Sequence, residues 1–431
     1  MNEQKKLFYG WYILAVSILV MALCYAPVVS CASLFVTPIT EEFGFARSAF
    51  TITKTIASLV GMAVAPFFGK IMAKKHMHAV WVGSLLGVTA VFTGMSFAST
   101  LPQFYIISFI QGLFTTSAAM LPVNIVLTNW FRKKRGFIVS IAMAGSGIGG
   151  TVLSRLMGTM IVEHGWRYTY RFLALLILCI LVPAVGLVIR RTPVEKGLKP
   201  YGEEMDDTLK TERERQNAGK RMEKEWNASL KELRSLPVFW AYVFGIALIA
   251  FTSAVIIHIP SAVVDAGYTM EKAASISSLY LLIAVPGKMI LGYIFDRFGV
   301  RAGILFGGAV FLLSMLSLLV IQHPPVLYLM AVFFGFGACL STVSPSIIAS
   351  RTFGTKNYPE IFGVTTMLVN GGYAIGVPVI GLFYDMTGSY YPAWIVMGIL
   401  AVLMTVSLLY SYQKSREYAN EKAAYGIGKL W

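Results

Sequence analysis

The sequence predicts an all-α integral membrane fold with twelve transmembrane helices arranged as two six-helix pseudo-repeats. Three observations predict it. The 431 residues are 56% apolar and only 13% charged, with a mean hydropathy of +0.68, against about 25% charged in average globular domains. Apolar runs long enough to cross a bilayer, about 20 residues each, recur along the chain as six, a polar stretch, and six more. Glycines repeat at one offset between the two groups: Gly44 with Gly267, Gly69 with Gly292, Gly112 with Gly335 and Gly165 with Gly388, each pair 223 residues apart. These features exclude a disordered chain, a disulfide scaffold and an ordinary soluble enzyme.

The elements follow in order. Met1 to Lys6 is a short polar lead with no cleavable signal peptide, so the first apolar run is a span that stays. Runs lie at 10–36, 47–69, 79–99, 102–130, 137–162 and 169–189, and then at 238–263, 273–295, 302–321, 326–350, 361–384 and 392–412. Phe43-Gly44-Phe45 opens the second span and Ala266-Gly267-Tyr268 the eighth, the same place in each half. The expected domains are therefore a six-helix bundle over 1–189, a cytoplasmic connector over 190–237, and a second bundle with a cytoplasmic tail over 238–431. The connector carries twelve basic and ten acidic residues between Arg190 and Leu236. It reads as a near-neutral solvated tether with a helix around 206–233, some of its basic residues touching anionic lipid heads. A duplicated six-helix unit is the parallel-repeat architecture of secondary transporters, whose substrate site lies near the midplane between the halves.

The formal charge of +15 does not point to nucleic acid, because the basic residues lie mostly between apolar runs. Outside the connector, seventeen basic residues fall on the side of the termini and four, Arg47, Arg167, Arg171 and Lys272, on the other. The positive-inside rule makes both termini cytoplasmic. Cys24, Cys31, Cys179 and Cys339 sit inside apolar runs at no metal-ligand spacing and read as small packing residues. No metal or cofactor is expected. Ala144-Gly145-Ser146-Gly147-Ile148-Gly149-Gly150 in the fifth span, and Gly371 with Gly372 in the eleventh, give thin helix faces for tight packing and sliding. No strand precedes the fifth-span glycines, so they are not a phosphate loop.

Gly292-Tyr293-Ile294-Phe295-Asp296-Arg297-Phe298-Gly299-Val300-Arg301 resembles the cytoplasmic loop signature of the major facilitator superfamily, G-x-x-x-D-R-x-G-x-R. The copy after the second span is degraded to Gly69-Lys70-Ile71-Met72-Ala73-Lys74-Lys75. The resemblance implies the major facilitator fold and a conformational latch at Gly292, Asp296, Arg297 and Arg301. Tyr9-Gly10-Trp11, Glu42-Phe43-Gly44-Phe45-Ala46-Arg47-Ser48, Asn129-Trp130-Phe131 running into Arg132-Lys133-Lys134-Arg135-Gly136, and Gly165-Trp166-Arg167 resemble the monocarboxylate transporter and oxalate/formate antiporter group. That group is implied to sit in a plasma (inner) membrane.

A charge at the bilayer centre costs about 2.5–3.5 kcal/mol on insertion scales, so three cations inside spans need a reason: Lys54, Arg155 and Lys288. The carboxylates Glu41, Glu42, Glu163, Asp265, Glu271, Asp296 and Asp385 all sit at or beyond span ends. A transported anion supplies the missing charge. At 1.5 Å per residue, Lys54 is about 10 Å in, Lys288 about 12 Å and Arg155 about 13 Å. Lys54 reads as a snorkelling anchor or an outer-cavity ligand. Arg155 reads as a substrate ligand, against helix packing or escape towards lipid, and Lys288 as the leading substrate cation. The resemblance strengthens Lys288, because monocarboxylate transporters bind substrate with a cation in the eighth span four residues before the loop glycine. Lys288 stands four before Gly292, as lysine where arginine is usual. The family's acid one turn earlier reads here as Ala284, its outer lysine in the first span as Thr37, and the antiporters' lysine in the eleventh span is absent, with Asn370 the nearest polar residue.

Uncharged recognition groups are expected at Tyr25, Asn124, Tyr280, Asn370 and Tyr373, where a helix-to-helix hydrogen bond is the competing reading. His258 is a candidate proton site, or else an interfacial packing group. The expected function is secondary transport of a small organic anion, a carboxylate, by alternating access, as anion exchange or proton-coupled symport, by a monomer. The rival readings are multidrug efflux on the same fold, which usually needs a buried carboxylate, and a membrane sensor that binds without transporting. No nucleophile-base set can be placed in the apolar core, so an enzyme is not expected.

Overall fold

The computed structural model describes residues 8–29, 31–45, 47–73, 76–202 and 229–425. The helix expected around 206–233 falls mostly outside the described residues; within them, Ser229 caps a short helix, Leu230–Leu233, by accepting from the Glu232 N–H. The apolar runs form helices, and among the described residues twelve are long and apolar enough to cross a membrane: Gly10–Val29, Ile52–Met72, Met77–Phe97, Leu101–Trp130, Arg135–His164 and Trp166–Val188, then Pro237–Ile257, Ser275–Arg297, Gly299–Leu318, Pro324–Phe353, Tyr358–Thr387 and Tyr391–Asn420. They are numbered below as the first to twelfth spans.

Their ends follow local chemistry. Thr100 and Gln103 make a capping box that starts the fourth span at Leu101. Thr269 caps the helix that becomes the eighth span by accepting from Lys272 N–H at 3.2 Å. The glycine repeat has a backbone meaning. Gly44 and Gly267 have φ of +68° and +94°, and Gly165 and Gly388 have +84° and +69°. A Cβ disfavours that left-handed region, so the same helix stops recur in both halves.

The described chain falls into two compact units: Met1–Ala57 with Lys74–Asn217, and Ser58–Ala73 with Ala218–Trp431. The division passes through the second span, whose part from Ser58 onward belongs to the second unit. There a Cβ on Gly69 would stand 2.5 Å from Pro359 O and 2.9 Å from Gly363 Cα, so bare glycine backbone sets how near that helix lies to the eleventh span.

Within the first unit the first and fifth spans touch at backbone distance: a Cβ on Gly149 would lie 2.4 Å from Ala22 Cα. In the second unit the seventh and eleventh spans do the same, a Cβ on Gly372 falling 2.6 Å from Ala247 O. Gly149 and Gly372 are again 223 residues apart. The core of the second unit gathers Tyr280, Phe311, Met315, Phe334, Trp394 and Met397. The first unit holds stacked Phe35 and Tyr170, with Phe104 edge-on to Phe50.

Beyond the first span, Val36–Phe43 is a separate helix, not a continuation of the span as the apolar run to residue 36 suggested. Its Glu42 accepts from the Trp166 indole N–H at 2.6 Å and from Arg167, whose guanidinium lies 4.3 Å from the Trp166 ring centre. The Arg167 hydrogen bond holds the Glu42 carboxyl below the usual carboxylate range; partial burial opposes it and the Trp166 bond adds to it. The stabilisation is therefore present at neutral pH and lost as pH falls through the lowered value. Both side chains are more than a third exposed, which keeps the effect below about 1 kcal/mol. Glu42→Gln is expected to lower the melting temperature slightly at pH 7 and not at pH 3, checked by paired melts in detergent.

Candidate functional site

Of the three cations inside the spans, Lys288 is the one the fold buries. Its side chain lies in the eighth span at 8% exposure. Pro286, inside the same helix, has no N–H and frees the carbonyl one turn earlier. The next residue, Gly287, lets the tenth span come close: a Cβ there would meet Cys339 Sγ at 3.0 Å and Gly335 O at 3.4 Å. The Cys339 thiol donates towards Gly335 O at 3.1 Å and Ala284 O at 3.3 Å, and it is near enough to Lys288 to interact electrostatically. The tenth span breaks at Ala338, between helices Pro324–Gly337 and Cys339–Phe353. The turn bearing Lys288 is thus fixed against a helix break by small residues and one thiol.

Arg155 and Lys54 are placed differently. Arg155 is exposed on the fifth span, in a row with exposed Thr151 and Thr159 at four-residue spacing. The Thr159 hydroxyl donates to Arg155 O at 3.2 Å and that of Thr151 to Gly147 O at 2.9 Å. Lys54 is exposed on the second span. Both belong to the first unit and Lys288 to the second.

The uncharged candidates divide in two. Asn124 is fully buried, its Nδ2 donating to Met120 O at 2.8 Å while its Oδ1 has no hydrogen-bond partner among the described residues. Tyr280 is 4% exposed, with its ring edge-on to Phe334 at 5.1 Å; here it is a packing group. Tyr25 lies half-buried in a π-helical turn, Met21–Tyr25, the kind of helix irregularity that frequently marks functional positions. Asn370 and Tyr373 are half-buried on the eleventh span beside Gly371 and Gly372. In the same region of the second unit, a groove of about 380 Å³ is lined by apolar groups that include Met62, Phe251, Met367, Gly371 and Ile375.

His258 follows the seventh span directly. Its Nε2 lies 3.0 Å from Val377 O and its Nδ1 3.4 Å from the Tyr390 hydroxyl. A carbonyl only accepts, so Nε2 carries a proton and the neutral ring's Nδ1 accepts from Tyr390. The imidazole bridges the seventh span, the eleventh and the loop before the twelfth.

The signature loop makes an ion pair that the sequence did not indicate. Asp296 accepts from Arg351, near the C-terminal end of the tenth span, at 3.3 Å, with Asp296 only 11% exposed. Arg297 and Arg301 are exposed. Arg351 had looked like one more cytoplasmic charge, because only the packing of the eighth and tenth spans brings it to Asp296.

Twelve spans, a repeated half and this loop make up the geometry that the comparisons bear on. A model of the Major Facilitator Superfamily matches residues 18–277 and again 259–429. The chain belongs to the Major Facilitator Superfamily. This superfamily member is similar to monocarboxylate transporter 12 of Rattus norvegicus, with 25% identity over 93% of this chain and 85% of the relative. It is similar to monocarboxylate transporter 2 of Homo sapiens, at 24% over 93% and 85%. A third relative is the uncharacterized MFS-type transporter YcxA of Bacillus subtilis, at 22% over 89% and 91%. The superfamily protein is a multi-pass membrane transporter of small molecules rather than an enzyme, and its similarity to monocarboxylate transporters spans nearly the whole chain.

Proposed function

We propose that this transporter moves a small organic anion, a carboxylate, by alternating access, with Lys288 as the counter-charge. The observation that carries the reading is an ammonium held at 8% exposure in the middle of a span, where a charge is retained only for function or pairing. The names of the relatives, monocarboxylate transporters, point to the same chemistry. Arg155 on its exposed Thr151–Thr159 row adds a second positive charge, and Lys54 a third on the outer side. The half-buried Asn370, Tyr373 and Tyr25 are the uncharged groups assigned to substrate. Asp296, with Gly292, Arg297 and Arg301, serves as the inner latch through Arg351. The excess of basic residues on the side of the termini supports a cytoplasmic position for both, in a plasma (inner) membrane, with a monomer as the transporting unit.

A bound carboxylate stabilises the charged form of a desolvated ammonium. Crossing the membrane loaded is therefore easier than crossing empty, and exchange of one anion for another follows. The test is counterflow in proteoliposomes preloaded with a panel of mono- and dicarboxylates, with and without a pH gradient. Exchange that survives collapse of the gradient is the expected result. Uptake only with an inward proton gradient would make the transport a symport and assign the proton to His258 or to the substrate. No flux with any acid of the panel would overturn the anion reading.

A further inference from the structure

The first part of the connector does not behave as a tether. It is laid across the inner face of the first unit and bonded there. The Tyr9 hydroxyl donates to Val188 O at 2.7 Å, the Trp130 indole N–H to Arg190 O at 2.8 Å, and Asn129 Nδ2 to Arg191 O at 3.1 Å. Pro193–Lys196 then forms a 3-10 turn closed by Gly197 at φ +67°, with the Lys196 ammonium 5.1 Å from the Tyr9 ring centre. Tyr201 pairs in extended fashion with Phe131: its N–H donates to Trp130 O at 2.8 Å, and its carbonyl accepts from the N–H groups of Arg132 and Lys133, both at 3.1 Å. Its ring sits among Phe8, Trp11 and Phe131, with centroids 5.6, 5.7 and 5.8 Å away. Gly202 follows at φ +96°, where a Cβ would stand 2.4 Å from Lys133 Cβ.

We infer that the inner face of the first unit is a docking surface for the chain's own connector, and that residues 189–202 are a strap that makes the inner ends of the first, fourth, fifth and sixth spans one moving piece. The residues that form the cradle are Phe8, Tyr9, Trp11, Asn129, Trp130 and Phe131. All but Phe8 belong to two motifs to which the carboxylate reading gives no role, Tyr9-Gly10-Trp11 and Asn129-Trp130-Phe131. The motif that follows them is tied to the cradle: Lys134 turns the chain at a φ of +55°, and the buried Arg135 donates from Nε to Phe131 O at 3.1 Å. Each of these groups would be free to move if residues 190–202 were a solvated linker. With the strap docked, residues 190–202 belong to the first unit rather than to a tether.

The strap is tested in the full-length transporter by limited trypsin digestion, reading cleavage after Arg190 and Arg191. Loss of the Tyr201 ring from a cradle of aromatic neighbours is expected to speed that cleavage at least ~10-fold in Tyr201→Ala, because cutting tracks the open population. Tyr201→Phe, which keeps the ring, should behave as wild type. In counterflow with the panel's best acid, Tyr201→Ala should lower the maximal rate with KM unchanged, since the strap touches a moving part and not substrate. Equal cleavage in wild type and Tyr201→Ala would overturn the inference. So would a raised KM at unchanged rate. Hydrogen exchange on the wild type needs no variant and no substrate: the amides of Tyr201, Arg132 and Lys133 should be protected, and exchange of all three at the rate of exposed amides would overturn the strap on its own.

Discussion

Replacing Lys288 by glutamine should remove carboxylate exchange while leaving the protein as stable as before. A hydrogen bond to a charged group is worth about 1.5–3 kcal/mol, and each 1.4 kcal/mol is tenfold, so exchange at low substrate should fall ~10- to 100-fold or beyond detection. Stability should change little, because at this position of 8% exposure a neutral amide keeps hydrogen-bonding capacity and sheds the desolvation cost of the ammonium. A melting temperature equal to or above wild type, together with lost exchange, separates a functional cation from a structural one. Lys288→Arg keeps the charge and should retain measurable exchange, since arginine is the usual residue at this position in the family that the eighth span resembles. Counterflow and thermal melts on the three proteins check this.

The second large effect concerns the close approach of the first and fifth spans. At Gly149 even alanine places a methyl 2.4 Å from Ala22 Cα and 2.6 Å from Ala22 O, backbone atoms that no rotamer change can move aside. Gly149→Ala is expected to cost about 1–3 kcal/mol as an overpacking substitution and to lower the melting temperature clearly. Gly372→Ala, at the matching place of the second unit and 2.6 Å from Ala247 O, should do the same. Gly158→Ala lies in the same span as Gly149, but its Cβ would meet nothing within 4 Å. It should stay within about 0.5 kcal/mol of wild type. Melting curves of the three variants in one detergent decide it.

The sequence-level reading worked best where the physics is local. Apolar runs of span length have to become helices in a bilayer, because no water is there to satisfy the backbone, and the helical ends at Gly44, Gly165, Gly267 and Gly388 need a residue that tolerates positive φ. Lys288 was legible for a similar reason: a charge inside an apolar run is conspicuous whatever it touches. Pairings between distant segments were less legible. Nothing in the order of residues says that Arg351 meets Asp296 or that Cys339 stands beside the turn of Lys288; both depend on how the eighth and tenth spans pack. The connector shows the same limit. Its near-neutral charge suggested a solvated tether, yet residues 189–202 are held by backbone carbonyls and one tyrosine ring, features that composition does not record. Tyr280 likewise looked like a recognition group by residue type, and Phe334 makes it part of a core.

The central claim is that Lys288 recognises a carboxylate as a charge. The most direct measurement is binding of each acid of the panel and of its neutral amide to the purified wild-type transporter and to Lys288→Gln, by calorimetry at one ionic strength. Wild type should bind at least one acid ~10- to 100-fold more tightly than its amide, by the same charged hydrogen bond, and Lys288→Gln should bind the pair alike. An acid preference that persists unchanged in Lys288→Gln would contradict the account and place the recognising charge elsewhere in the protein.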